Sequence, residues 1–412
     1  MKCVLIGAGS RGMLYARWAD EHGVEIAAVA EPRPDRLAWA GEVLRLPKER
    51  LFSTAEALFA QEKLGDTAII ASLDRAHFGH VMQAMDRGYD ILLEKPISPS
   101  AWECVEVERR ALALGRKVTV CHVMRYHALV SAIREILDSG ELGRVVNIKH
   151  TENVGNWHMA HSFVRGNWRS SAETAPIILA KSCHDMDLLL WFSGAHCRRI
   201  AAFGSLDYFR RENAPAGSAE RCCDCPVAAD CRFEAMKVYR TTLGAWPADM
   251  VCLEQTEEAL EAALRTSPYG RCVFRCANDV CDHMSVAMEF DNGATATFTL
   301  NGHSDRMYRQ FHIMCTEGEI EADDHTNTLT IRRFPVNGLA PEQVEERHIK
   351  TSSIGHGGSD LVMMEDFFLR GGAERSSVSR SVESHLMALA AEESRLTGQV
   401  VDLTDFKNSI KP

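Results

Sequence analysis

The tightest constraint on this chain lies at its start. An apolar strand, Cys3-Val4-Leu5-Ile6, runs straight into Gly7-Ala8-Gly9-Ser10-Arg11-Gly12, and a helical stretch follows. Gly7 permits the tight turn, Gly9 lets the backbone approach a pyrophosphate, and Gly12 allows close contact between helix and strand. Ser10 and Arg11 lie in the same turn, where the free N–H groups of a helix start attract an anion. A second strand, residues 24–30, ends at Glu31, nineteen residues after Gly12. A carboxylate at that point accepts hydrogen bonds from both hydroxyls of an adenine ribose. The plain alternative is a glycine-rich turn in some other α/β protein. The order strand, turn, helix, strand, acid favours a dinucleotide site.

The pattern continues to about residue 122. Strands at 67–71, 90–94 and 117–121 alternate with helices at 33–45, 54–61, 76–87 and 99–114. Strands that are apolar throughout, separated by helices, indicate a doubly wound parallel sheet. Beyond 122 the pattern changes. A helix at 127–138 and strands near 144–152 are followed by a loop to about 175 and a helix at 183–192. Segments 285–290, 294–300, 311–315, 319–323 and 328–334 alternate as antiparallel strands do, with a hairpin turn at Asp291-Asn292-Gly293. Helices at 359–370 and 380–395 end the chain. The division expected is a nucleotide-binding domain over 1–122 and an α+β domain over 123–412. The latter carries an insertion at about 205–282 that is richer in Cys, Pro and Gly.

Composition removes several classes of function. The net charge is −11 with no basic run, so nucleic acid and anionic membranes are poor partners. No apolar run is long enough to span a bilayer, and the N-terminus lacks the layout of a signal peptide, which leads to the expectation of a soluble cytoplasmic protein.

Two clusters carry candidate chemistry. Glu94-Lys95-Pro96 ends a parallel strand, the edge at which such sheets bind ligands, and Lys95 is expected to point toward the reactive end of a bound cofactor. The alternative is a solvated surface lysine. The second is Ala180-Lys181-Ser182-Cys183-His184-Asp185-Met186-Asp187, opening a helix. His184 and Asp187 share a helical face; the histidine suits proton transfer, and Asp187 could orient it. Lys181, one turn earlier, could add positive charge. A helix cap with an exposed histidine is the competing reading.

Together these residues resemble the glucose–fructose oxidoreductase and inositol dehydrogenase (Gfo/Idh/MocA) family over nearly the whole chain. The resemblance rests on residues 7–12, on Glu94-Lys95-Pro96, on Arg125-Tyr126-His127, on Gly140-Glu141-Leu142-Gly143 and on His184-x-x-Asp187. It implies a Rossmann domain followed by an open-faced, mostly antiparallel sheet that often mediates homo-oligomers. It also implies NAD(P)-dependent oxidation or reduction of sugar or cyclitol hydroxyls, with Lys95 and His184 catalytic. Many members have Asp four residues before that histidine and Gly two before. This chain has Ala180 and Ser182 there, with Lys181 between them, so Lys181 is expected to take over part of the substrate contact. Arg125, Trp168, Arg169 and His356 are further candidates for substrate contact. Glu31 favours NAD over NADP, because it would repel a 2′-phosphate; Arg33 and Arg36 could bind one.

Fourteen cysteines are scattered except in the insertion, where Cys222, Cys225 and Cys231 read as C-x2-C-P-x4-C. With Cys272, or Cys276 as the alternate fourth ligand, they have the spacing of a structural zinc site. An iron–sulfur cluster or unligated thiols are the alternatives. Three functions stay open: a sugar or cyclitol dehydrogenase, a glycoside hydrolase using NAD without net consumption, and a non-enzymatic NAD(P)-binding regulator. The last is disfavoured because Lys95 and His184 are both present.

Overall fold

The computed structural model describes residues 1–338, 343–352, 355–371 and 374–412. The first sheet comprises β1 (Lys2–Ile6), β2 (Glu25–Ala30), β3 (Leu51–Phe52), β4 (Thr67–Ile70), β5 (Asp90–Leu93) and β6 (Val118–Val120). Its order is β3-β2-β1-β4-β5-β6, and every pair is parallel. Apolar side chains on both faces of β1, β4 and β5 pack beneath helices α1 (Ser10–Glu21), α2 (Pro34–Val43), α3 (Ala55–Phe59), α4 (His77–Asp86) and α5 (Ala101–Leu114). The helix starts are fixed locally. Thr54 caps α3 by accepting from the Ala57 N–H, and Ser100 caps α5 by accepting from the Glu103 N–H. The order reverses between β1 and β4, so a crevice opens beyond their C-terminal ends.

After α6 (Ala128–Ser139), the chain builds a nine-stranded sheet. Its strands are β7 (Val145–Asn153), β8 (Cys197–Ser205), β9 (His283–Phe290), β10 (Thr295–Asn301), β11 (Tyr308–Cys315), β12 (Gly318–Asp323), β13 (Thr328–Arg333), β14 (Gln343–His348) and β15 (Val401–Asp402). All pairs are antiparallel except β10 on β7. Alternation puts Met284, Val286 and Met288 inside and leaves Ser285 and Ala287 outside. The inner face is covered by the helices Cys183–Ser193 and Val378–Thr397. Among the described residues nothing covers the outer face, on which Phe203 is 74% exposed.

β8 was not anticipated. Its run Cys197-Arg198-Arg199 looks polar because Arg198 and Arg199 lie exposed over Glu289 of β9. Between β8 and β9 the chain leaves the sheet and forms a small body around the helices Ala235–Arg240 and Glu257–Thr266. Buried Asp282 ties its ends together, accepting from the N–H groups of Asp207 (3.0 Å) and Tyr208 (2.7 Å).

The expectation of a metal ion in this body is not met. Among the described residues, no three His, Cys, Asp or Glu side chains are disposed to hold one. Cys222, Cys225, Cys231 and Cys272 line one small cavity, but a buried arginine stands with them: Arg165 donates to Cys222 Sγ (3.3 Å) and to the carbonyls of Phe233 and Arg271 (2.7 Å each). Cys276 is buried and turned to the Cys272 carbonyl. The body has another source of cohesion. Ala235, Tyr239, Ala248, Leu260, Leu264 and Tyr269 form an apolar core with Cys222. A second cluster packs Tyr208, Phe209, Phe233 and Phe274 edge to face. This aromatic content is what the low count of aliphatic residues concealed.

Candidate active site

The glycine turn has the shape its sequence implies. Gly7 has φ +93°, and a Cβ there would meet the Ala71 carbonyl oxygen at 2.5 Å. A Cβ on Gly12 would lie 2.0 Å from the Gly7 oxygen, so helix α1 packs against the turn only without a side chain. Above Gly9, by contrast, the space is open to 4 Å. α1 begins at Ser10 with no side-chain cap, leaving its first N–H groups for a phosphate. At the end of β2, buried Glu31 accepts from the Ala8 N–H (2.8 Å), and its other oxygen faces Arg33 (3.2 Å). This cradle suits a dinucleotide: backbone donors for the pyrophosphate and a fixed carboxylate for the ribose.

Arg11 turns back toward the sheet. Its Nε donates to Glu94 (2.8 Å), and its terminal nitrogen bonds Tyr15 and Asp360. Tyr15 also donates to Glu94 (2.6 Å), whose second oxygen accepts from the Lys95 N–H (2.9 Å). Burial pushes the Glu94 carboxyl up, but Arg11 and Lys95 outweigh it and hold it below its ordinary value. Glu94 is therefore the post that fixes Lys95. The Lys95 ammonium crosses to the second domain and donates to the Ala180 carbonyl (2.6 Å). The group that meets the lysine there is the backbone carbonyl of Ala180.

His184 lies in the first turn of the helix Cys183–Ser193 and is buried, with no partner for Nδ1 among the described residues. Burial first, then the charges of Lys95, His122, His356 and Arg309, push it well below its ordinary value, so it is neutral near pH 7. The structure thus brings Lys95 and His184 into one electrostatic field. His356 joins them: its ring is 6.2 Å from that of His184, and its Nδ1 is 3.0 Å from Asp360.

The other sequence candidates sit differently. Asp187 grips Arg125 at both ends, 2.7 and 2.8 Å, and lies 4.0 Å from His122 rather than against His184. Arg125 is consequently buried behind the site, with its remaining nitrogen on the Arg375 carbonyl (2.8 Å). Trp168 donates its indole N–H to Asp74 (3.1 Å), linking the two domains. Arg169 pairs with Glu173 (2.5 Å). Lys181 is held by Glu152 (2.9 Å).

Sequence reasoning missed the network behind Lys181. Arg309 lies 2.8 Å from both Glu152 and Asp185, and His150 Nε2 lies 2.8 Å from Asp185. Burial pushes Asp185 up, but Arg309 and His150 hold it far below its ordinary value. The available signal was alternation: His150 and Glu152 are polar residues at inward positions of β7. Tyr15, Asp360, His122 and His158 were also missed.

A glycine turn on a classical-order parallel sheet, with a lysine and a histidine meeting over its C-terminal edge, defines a nucleotide-dependent oxidoreductase class. The chain belongs to the Gfo/Idh/MocA family. Residues 1–122 match its oxidoreductase domain with the NAD-binding Rossmann fold, and residues 130–321 match its C-terminal domain. It is 24% identical to the oxidoreductase YteT of Bacillus subtilis over 74% of this chain and 72% of that one. It is 28% identical to inositol 2-dehydrogenase of Streptomyces avermitilis over 46% of this chain and 52% of that one. The fold is shared with an Agrobacterium radiobacter oxidoreductase in complex with NAD+ (TM-score 0.69, 17% identity, 98% of this chain and 99% of that one). It is shared equally with levoglucosan dehydrogenase in complex with NADH (TM-score 0.71, 16% identity, 98% and 99%).

Proposed function

We propose that the protein transfers a hydride between a hydroxyl carbon of a sugar or cyclitol and a nicotinamide. The observation that carries this reading is the Lys95 ammonium reaching from the edge of the nucleotide cradle to the Ala180 carbonyl of the second domain (2.6 Å), four residues before His184. NAD bound there supplies the hydride acceptor. The chain's own groups do the rest. Lys95, tethered to Ala180 and based on Glu94, presents its remaining N–H bonds to the substrate oxygen and stabilises the charge developing on it. His184, neutral, takes the hydroxyl proton. Partly exposed His356 lies beyond it toward solvent, held by Asp360. Lys181 adds a positive wall whose charge Glu152 balances. Fixing the reacting carbon against the cofactor supplies much of the rate.

The same reading favours NAD over NADP. Glu31 points a fixed carboxylate at the ribose position, and Arg36 is drawn away, donating to the Asp249 carbonyl (3.0 Å). All fourteen cysteines are free, which suits a reducing, cytoplasmic setting. Among the described residues, no helix is long and apolar enough to cross a membrane. A second copy of the chain on the uncovered sheet face completes the proposal. The test mixes the protein with NAD and a panel of sugars, cyclitols and glycosides, following both nicotinamide reduction and release of aglycone. Reduction with at least one member supports the reading. Release of aglycone with no accumulated NADH favours the redox-neutral hydrolase instead. Silence in both channels removes both.

A further inference from the structure

The inserted body does more than decorate the sheet edge. Three residues after its Trp246, the Asp249 carbonyl accepts from Arg36, so this stretch is pinned to the nucleotide domain. Trp246 is 37% exposed, and its ring packs 5.2 Å from Trp157, 5.0 Å from His158 and 5.6 Å from His161. Trp157 and His158 follow the end of β7 and are partly exposed as well. His158 lies six residues beyond Glu152, the β7 carboxylate that grips Lys181 at 2.9 Å. Burial first, then Lys181, His161, Lys95 and His356, push its imidazole well below its ordinary value, and its Nδ1 lies 2.9 Å from Met307 Sδ. A half-exposed aromatic surface therefore stands beside a wall of lysine and histidine at the mouth of the site.

That pairing fits one ligand chemistry. A pyranose ring has an apolar C–H face and a hydroxyl edge. Aromatic faces carry negative potential that attracts the C–H face, while charged neighbours take the hydroxyls. We propose that Trp246, with Trp157 and His158, forms a second sugar subsite that holds the ring linked to the one reacting at Lys95 and His184. The physiological substrate is then a glycoside or oligosaccharide rather than a free monosaccharide. This rests on the hydride-transfer reading of the Lys95–His184 crevice.

The experiment compares kcat/KM for a monosaccharide and for a disaccharide containing it, in the wild type, Trp246→Ala and Trp246→Phe. The wild type favours the disaccharide. Trp246→Ala lowers the disaccharide-to-monosaccharide ratio about tenfold, mainly through KM, as loss of a stacking platform should. Trp246→Phe, which keeps a ring, restores most of it. An unchanged ratio in Trp246→Ala overturns the proposal, as does an equal loss on both substrates with a lowered melting temperature, the mark of a purely structural tryptophan. Preference for an aryl glycoside over every disaccharide replaces the second sugar with an aromatic aglycone and overturns it too. No turnover of any carbohydrate by the wild type brings down the crevice reading itself, and the subsite with it.

Discussion

Lowering the pH from 7 to about 5 should destabilise this protein strongly. His385 shows why. Its Nδ1 is 2.8 Å from the Ser381 carbonyl and its Nε2 accepts the Ile97 N–H at 3.0 Å, so the imidazole must be neutral; a proton on Nε2 would face another N–H. Burial, then His122, pushes it down to about 3. Burial also pushes His161 to about 3, with help from Arg165, and His127 to about 4, with help from Arg309. Each is freed to an ordinary value of about 6.5 on unfolding. The unfolded chain therefore binds more protons below that value, and stability falls with pH. The contribution is whole above about pH 6.5 and is lost as pH drops toward the folded values. At about pH 5, one and a half units below, each costs about 2 kcal/mol, and the three together about 6 kcal/mol. Asp324 opposes them. Burial raises its carboxyl to about 6, so its protonation favours the folded state and returns about 1 kcal/mol. Asp185, Asp187, Asp360 and Glu94 are held below their ordinary values and stay ionised at pH 5. The three histidines and Asp324 alone give a net loss of about 5 kcal/mol, which rivals the stability of a whole domain, and His122, His158, His184 and His356, also pushed down by burial, add to it. With a urea slope of about 3 kcal/mol/M, the midpoint should fall by at least about 1.5 M between the two pH values. Equal midpoints at pH 7 and 5 would refute the reasoning. His385→Asn, uncharged throughout, should remove about 2 kcal/mol of the pH dependence.

Other consequences follow from the same contacts. His184→Ala and Lys95→Ala should each lower kcat at least about a hundredfold while NADH still binds, which fluorescence titration checks. Arg309→Ala leaves buried Asp185 without its guanidinium partner and Glu152 with Lys181 alone, and should cost about 3–5 kcal/mol in urea unfolding. Glu31→Ser should raise the NADP-to-NAD ratio of kcat/KM about tenfold, because the repulsive carboxylate is gone; an unchanged ratio would move cofactor choice to other residues.

Much of the first domain was legible because its signals are local. The glycine turn, the acid after β2 and the Lys95 strand end each lie within a few residues of the element that positions them. The second domain was legible where alternation is clean, as in β9 and β10, and illegible where exposed charge hides a strand, as in β8. Lys95 and His184, the proposed catalytic pair, could be singled out because each sits at an element's end. Its supports could not. Arg11, Glu94 and Asp360 are separated by 83 and 266 positions in sequence, yet meet in one cluster. The partnership of Asp187 with Arg125 rather than His184 shows the limit of helical spacing. Sharing a face brings two residues near each other, but a buried guanidinium offers a carboxylate two charged hydrogen bonds. The thiols make the same point: spacing put four in one cavity, and a long-range arginine entered it with them.

The central claim is that a nicotinamide reacts between Lys95 and His184. Single-turnover reduction of the keto form of an accepted sugar, with NADH deuterated at the transferable position, tests it most directly. Deuterium should appear on the product carbon with a primary isotope effect, and the transfer step should be lost in Lys95→Ala with the nucleotide still bound. Tight nucleotide binding with no deuterium in any product would contradict it.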